Sequence, residues 1–106
     1  MYKIEQNMLD AIAERKNWKQ GNTAIQWRRS SWALVTLHSN PIASIILTDF
    51  GYEICANNAT FLEYPTKTTA SRLRALNFKA NIKNGIPYIN DYPLTTYKYR
   101  LFSRYC

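Results

Sequence analysis

The chain has 106 residues, of which 46% are apolar and 14% aromatic, so it is long enough for one domain with a single core and too apolar to be disordered. Its net charge of +7 is confined to one part of the sequence: residues 1–63 carry no net charge, whereas residues 64–106 hold eight basic side chains and one acidic one, Asp91. This asymmetry is typical of proteins that bind polyanions.

Two cysteines, Cys55 and Cys106, are too few for a disulfide framework and favour a reducing compartment. Cys55 lies in a short apolar run, where a free cysteine is usually a small buried side chain. The first ten residues lack the apolar core of a signal peptide, and the longest apolar run, residues 41–47, is too short to cross a bilayer. We therefore expect a cytoplasmic protein with no membrane partner, and either a monomer or a dimer.

The first half of the chain predicts one helix followed by short strands. Apolar residues recur at helical spacing over residues 3–17, which predicts an amphipathic helix. After a break at residues 21–22 the period changes to two, which is typical of strands. The expected strands are residues 23–28, 32–37, 42–48 and 52–56, with a turn at 57–58 and a short fifth strand at 61–64. Pro41 predicts a break between the second and third strands.

The second half predicts a short helix over about residues 69–77, capped by Thr68 or Thr69. Asn84-Gly85 is a strong hairpin signal between strands at 78–82 and 86–89, and a last strand is expected at 97–105. The whole chain, residues 1–106, is thus predicted to be one α+β domain. In it, the N-terminal helix and the short second helix pack on one face of an antiparallel sheet.

The residue inventory does not indicate an enzyme. His38 is the one histidine, and it has no cysteine or carboxylate at recognisable ligand spacing, so a structural or surface role is favoured over catalysis. No nucleotide-binding, hydrolase or metalloprotease motif occurs. We expect no catalytic residue, no metal and no cofactor.

Residues 66–76, TKTTASRLRAL, allow two interpretations. Helix capping accounts for the threonines. It does not account for Lys67 and Arg72, which lie where the helix dipole disfavours cations. A bound phosphate, held by these cations and by the hydroxyls of Thr68 and Thr69, would account for both.

Two further stretches combine basic and aromatic residues. In a strand, residues 97–105 would place Lys98, Arg100 and Arg104 on one face with Phe102, which suits either a nucleic-acid platform or an edge strand protected by charge. The stretch WRRSSW, residues 27–32, places two tryptophans around two arginines, which suits either cation–π packing or an exposed recognition tip.

Three strings of this chain, EQNMLDAIAERKNWKQGNTAI, LVTLHSNPIASI and YPTKTTASRLRAL, together resemble a small domain of bacteriophages and related mobile elements. That group carries a Leu-His-x-Asn-x-Ile-Ala string, usually with Gly where this chain has Ser39, and a Thr-x-Thr-Thr-x-x-Arg-Leu string. The resemblance covers about residues 5–76. It implies a phage origin and a compact α+β domain, supplies no catalytic residues, and leaves residues 78–106 as a basic extension.

The leading hypothesis is a non-enzymatic binding protein that contacts nucleic acid through phosphates, without sequence specificity. The candidate contacts are the hydroxyl and basic residues of the C-terminal part: Lys67, Thr68, Thr69, Arg72, Lys79, Lys83, Lys98, Arg100 and Arg104. The alternative is a phage-type inhibitor or adaptor that docks on an acidic surface of a host protein. Its contacts would lie at the predicted hairpin tip: Trp27, Arg28, Arg29 and Trp32.

Overall fold

The computed structural model describes residues 2–29, 31–94 and the backbone of residues 104–105. These residues form helices α1 (Lys3–Glu14), α2 (Asn58–Glu63) and α3 (Lys67–Ala75). The strands are β1 (Trp18–Gln20), β2 (Thr23–Arg28), β3 (Trp32–Leu37), β4 (Asn40–Thr48), β5 (Gly51–Asn57), β6 (Ala80–Lys83), β7 (Ile86–Ile89), β8 (Tyr92–Pro93) and β9 (Arg104–Tyr105). The predicted α+β class is confirmed.

The strands form two antiparallel sheets, a larger one in the order β1-β2-β3-β4-β5-β9 and a smaller one in the order β6-β7-β8. On one face of the larger sheet, buried side chains of successive strands lie opposite one another, in the row Ile25, Val35, Ala43 and Ala56. Side chains of α1 and α3 join this row in one core. Burial of this shared apolar face is the main stabilising term of the fold.

Helix α1 confirms the first predicted element. It buries Met8, Ala11 and Ile12, as the helical spacing of the apolar residues requires. The helix ends earlier than predicted because Arg15 is in the left-handed conformation, with φ of 54°. The backbone N–H of Lys16 then donates to the carbonyl of Ala11 at 3.2 Å, which closes the last turn.

The turn between β3 and β4 differs from the predicted proline break. The turn is two residues long, His38 and Ser39, and both have positive φ, 52° and 67°. Strand β4 starts at Asn40, so Pro41 lies inside the strand. It lies opposite Thr36, where the register shifts. Proline has no N–H to donate to the ladder, and a register irregularity accommodates it.

The predicted turn at residues 57–58 and strand at 61–64 are wrong, because this segment is helix α2. Asn57 caps the helix: its side-chain oxygen accepts a hydrogen bond from the backbone N–H of Thr60 at 3.1 Å. The helix buries Phe61 completely in the core. Capping and burial together outweigh the strand preference of the aromatic and β-branched residues here.

Helix α3 confirms the second predicted helix but begins earlier, because its cap is Thr66 rather than Thr68 or Thr69. The Thr66 hydroxyl oxygen accepts from the backbone N–H of Thr69 at 3.1 Å. After α3, the predicted hairpin around Asn84-Gly85 is confirmed between β6 and β7, with φ of 52° and 77° in the turn. Sequence patterns missed β1 and β8, which are too short to show a period.

The C-terminal strand is described only at β9, which pairs with β5. The rest of the strand predicted at residues 97–105 lies outside the described residues. Cys55 is buried in β5, as expected, but it is disulfide-bonded rather than free. The other cysteine, Cys106, lies outside the described residues. The cysteine content therefore no longer argues for a reducing compartment.

The turn at His38 and Ser39 yields a prediction about stability. A side chain in the left-handed conformation costs roughly 1–2 kcal/mol, and glycine avoids this cost. We therefore expect Ser39→Gly to raise the free energy of unfolding by about 1 kcal/mol in urea denaturation. Ser44→Gly, in the middle of β4, is the matched control and should lower stability. A destabilised Ser39→Gly would contradict this account of the turn.

Candidate functional site

A buried ion pair joins α1 to α3. The Nη1 atom of Arg72 donates to Oε2 of Glu5 at 2.8 Å, and the hydroxyl of Ser71 donates to the same oxygen at 2.5 Å. The other carboxylate oxygen of Glu5 accepts from the backbone N–H of Tyr2 at 3.2 Å. The Nε atom of Arg72 donates to the hydroxyl of Thr23 on β2 at 3.1 Å. One charge pair thus connects two helices and the larger sheet.

The partners of Glu5 keep it ionised. Burial alone would raise the pKa of Glu5, but the hydrogen bonds from Ser71, Arg72 and the backbone of Tyr2, with the charge of Arg72, outweigh burial and lower the pKa below its usual value. The side chains of Glu5 and Arg72 are only 3% and 9% exposed. Each charge therefore depends on the other for its stability in the interior.

This arrangement changes the set of candidate phosphate contacts. The guanidinium of Arg72 is buried and already paired, and the hydroxyl of Thr69 is buried against that of Thr66, with an oxygen–oxygen distance of 2.9 Å. The two cations that the sequence put together, Lys67 and Arg72, thus have different surroundings, because Lys67 is exposed. The polar groups of Arg72 and Thr69 are therefore committed to partners inside the protein.

A groove of about 750 Å3, which we call the basic groove, lies between the start of α1, one face of α3 and β6. Its exposed cations are Lys67 and Arg74. None of the described side chains that line it is acidic. The lining consists of Tyr2, Ile4, Pro65, Lys67, Thr68, Ala70, Ser71, Arg72, Arg74, Asn81 and Ile82. Its outer surface is therefore positively charged and rich in hydrogen-bond donors.

Of the groove lining, sequence reasoning found Lys67, Thr68 and Arg72 but missed Ser71 and Arg74. A signal for them was present, because residues four and seven positions after Lys67 lie on the same face of a helix. Arg74 is anchored on this face: its Nη1 atom donates to the backbone carbonyl of Ala80 at 2.9 Å. Tyr2 and Asn81 could not be found in this way, since only the packing of α1 and β6 beside α3 brings them to the groove.

Among the candidates whose side chains are described, Lys79 and Lys83 do not line the basic groove. Lys79 is exposed just before β6, and Lys83 ends that strand on the same face as Asn81. The ammonium of Lys83 lies 5.5 Å from the ring centre of Tyr88. Lys98 and Arg100 lie outside the described residues. Of Arg104, only the backbone is described, in β9.

A second concavity, of about 320 Å3, lies on the other side of the first turn of α3, and we call it the Thr–His pocket. It is lined by Leu37, His38, Asn40, Ile42, Thr60, Tyr64, Thr66, Thr68 and Thr69. His38 is exposed, and its Nε2 atom accepts from the side-chain amide of Asn22 at 3.1 Å. Two sequence strings that are far apart along the chain, LHSNPIA and TKTTASRL, therefore meet at one pocket.

The alternative hypothesis, docking on a host protein, requires the side chains of residues 27–32 to form one hairpin tip. In the structure, the two tryptophan side chains lie on two opposite faces of the sheet. Trp27 lies opposite Ala33 and packs against the core, whereas Trp32 lies opposite Arg28 on the other face. Arg28 and Arg29 are exposed. The four residues do not form one patch, although Trp32 and Arg28 remain together.

The described residues contain neither a metal-binding cluster nor a membrane-spanning helix. No group of three His, Cys, Asp or Glu side chains lies close enough together there to hold a metal ion. No helix within those residues has the length and apolar character needed to cross a membrane.

Comparison with protein families shows what this chain is similar to. The model of the Kyanoviridae Gp96 protein family covers residues 1–103. The chain belongs to this phage family. Comparisons with curated proteins and with solved structures gave no match.

The family match confirms that this is a phage protein, as the sequence resemblance implied. It takes in most of residues 78–106, which the resemblance had left as an extension. In this member of the Gp96 family, the basic segment after α3 is therefore part of the family domain.

The buried ion pair predicts strong coupling between its two residues. Arg72→Met leaves the carboxylate of Glu5 buried without its main partner and should lower the free energy of unfolding by about 3–5 kcal/mol. Adding Glu5→Leu removes the unpaired charge, so the double variant should be more stable than Arg72→Met alone. Glu63→Gln, at an exposed carboxylate, is the control and should change stability little. Additive effects in urea denaturation would contradict the coupling.

The lowered pKa of Glu5 predicts a pH dependence. An unfolded glutamate titrates near about pH 4.3, and the folded pKa lies below its ordinary value. The stabilisation from the ionised carboxylate is thus fully present above the unfolded pKa and is lost as the pH falls through the folded one. Unfolding free energies of the wild type and Glu5→Gln, measured from pH 7 down to the acid transition, should therefore converge. A constant difference would contradict the pairing.

Proposed function

We propose that this phage protein is a non-enzymatic nucleic-acid-binding protein that holds backbone phosphates in the basic groove. The observation that carries the proposal is the groove itself, in which Lys67 and Arg74 stand among hydroxyl and amide side chains with no acidic residue in the described lining. Cations and neutral donors without competing carboxylates suit a polyanion. The place of action in this proposal is the cytoplasm of the infected cell.

The spacing of the two cations suits a phosphate backbone. Lys67 and Arg74 are seven residues apart, which is about 10 Å along a helix axis. Successive phosphates of one strand of B-DNA rise by about 3.4 Å, so both cations can contact phosphates of the same strand. The anchor of Arg74 on the carbonyl of Ala80 limits the loss of side-chain entropy on binding.

The ion pair inside the protein supports this use of α3. Glu5 lies on α1 beside the groove, and its carboxylate accepts hydrogen bonds from Ser71 and Arg72. Its negative charge is therefore balanced by Arg72 and does not offset Lys67 and Arg74. The helix presents a paired charge to the interior, whereas Lys67 and Arg74 are exposed and make no ion pair within the described residues.

The neutral donors of the groove favour binding without sequence specificity. Thr68 and Asn81 offer short side chains of the kind that contact phosphate and sugar. Tyr2 is 64% exposed and also lines the groove, where its hydroxyl can donate to a phosphate.

A second candidate function, docking on an acidic host protein, is favoured by the face of the larger sheet that carries Trp32. Trp32 lies between Arg28 and Ile46 in one row across three strands, and Ile46 is 39% exposed. An aromatic residue and an arginine at a partly apolar surface are common in protein interfaces. We rank this function second because the charge excess of the chain lies at residues 64–106 rather than on this face.

The proposal predicts how charge reversal affects binding. Lys67→Glu with Arg74→Glu should weaken binding to both a generic single strand and a generic duplex roughly tenfold or more, because two phosphate contacts are lost. The slope of log affinity against log salt should fall by about 1.4 for the single strand and 1.8 for the duplex. Fluorescence anisotropy at several salt concentrations measures both quantities.

Lys19→Glu with Arg28→Glu is the matched control, since it changes the net charge equally at exposed positions of β1 and β2. This pair should retain most of the binding and most of the salt slope. Equal losses in the two double variants would mean that only overall charge matters, and would contradict the groove. Loss in the control pair alone would move the interface to the sheet face that carries Arg28 and Trp32.

A further inference from the structure

The Thr–His pocket adjoins the basic groove. Thr68 lines both concavities, while its neighbours alternate between them: Pro65 and Lys67 line the groove, and Tyr64 and Thr66 line the pocket. The segment before α3 and the first turn of α3 thus form a narrow rim between the groove and the pocket. A ligand held on Lys67 has the pocket within reach.

The two concavities have different chemistry. The pocket has an apolar floor from Leu37 and Ile42, both buried, and an aromatic wall from Tyr64, which is 44% exposed. No lysine or arginine lines it within the described residues. An anionic group should therefore bind more favourably in the groove, and a flat, uncharged group should bind more favourably in the pocket.

Polar groups surround the pocket at its mouth. The side chains of His38, Asn40 and Thr68 line it, and neither Asn40 nor Thr68 makes a side-chain hydrogen bond within the described part of the chain. Amide and hydroxyl groups both donate and accept, as the edges of a nucleobase do. The volume of about 320 Å3 is at the lower end for small-ligand pockets and suits a single ring system rather than a base pair.

We propose that the Thr–His pocket takes one nucleobase of a single strand whose phosphates lie on Lys67 and Arg74. The base stacks on Tyr64, and its edge meets His38, Asn40 and Thr68. This inference rests on the proposed function, since it uses the same cations for the backbone. The inference also names the substrate class, which is single-stranded nucleic acid. A base within a duplex is stacked and paired, so it must be extruded before it can enter the pocket.

The test uses fluorescence anisotropy with the full chain and two oligonucleotides of equal length and charge, one ordinary single strand and one abasic strand. The ordinary strand should bind about tenfold more tightly, because it alone can stack a base on an aromatic side chain. Tyr64→Ala should remove most of this difference while leaving the affinity for the abasic strand unchanged. Tyr92→Ala, at another exposed tyrosine outside both concavities, is the matched control and should retain the difference.

The outcomes separate the two proposals. Equal affinity of the wild type for both strands would overturn the base pocket and leave phosphate binding in place. Absence of binding to either strand, even at low salt, would overturn the proposed function and the base pocket together. A difference between the strands that survives Tyr64→Ala would also overturn the pocket, since the base would then be held elsewhere. If a free mononucleotide displaced the strand at an equal concentration, the site would bind a mononucleotide as well as it binds a strand. That result would contradict the proposal that the ligand is a single strand.

Discussion

The buried pair of Glu5 and Arg72 is the constraint on which the arrangement of this domain depends. Apolar burial favours packing of α1 and α3 on the sheet, but it is not directional. The ion pair and its hydrogen bonds to Ser71, Thr23 and the backbone at the start of α1 require one relative position of the three elements. Because an unpaired charge in this interior is costly, alternative positions that separate the two residues are disfavoured.

The same constraint determines which surface of α3 faces the solvent. Once Arg72 is directed inward, the positions of Lys67 and Arg74 on the helix wheel place them outward, toward the gap between α1 and β6. The basic groove and the Thr–His pocket then lie on either side of the rim formed by the start of α3. The interior ion pair and the exposed cations are thus two results of one helix orientation, and the proposed backbone and base contacts both depend on it.

The sequence indicated the region of the candidate site but not which residues form it. Charge counting pointed to residues 64–106, and capping signals pointed to the threonines before α3. Neither could distinguish Arg72 from Arg74, because a count assigns both the same charge. Only the position of Glu5, 67 residues earlier in the chain, decides that Arg72 is buried and paired. Tyr2 and Asn81 joined the groove for the same reason, through contacts that have no local signature.

By itself, the sequence determined the elements whose signals are local: helix α1, the strands with alternating apolar residues, the hairpin at Asn84-Gly85 and the α+β class. The tertiary structure decided what local signals leave open. Burial of Phe61 made residues 58–63 a helix, and a register shift placed Pro41 inside a strand. Long-range packing decided these features, because the free energy of burying a side chain exceeds the small differences in local propensity.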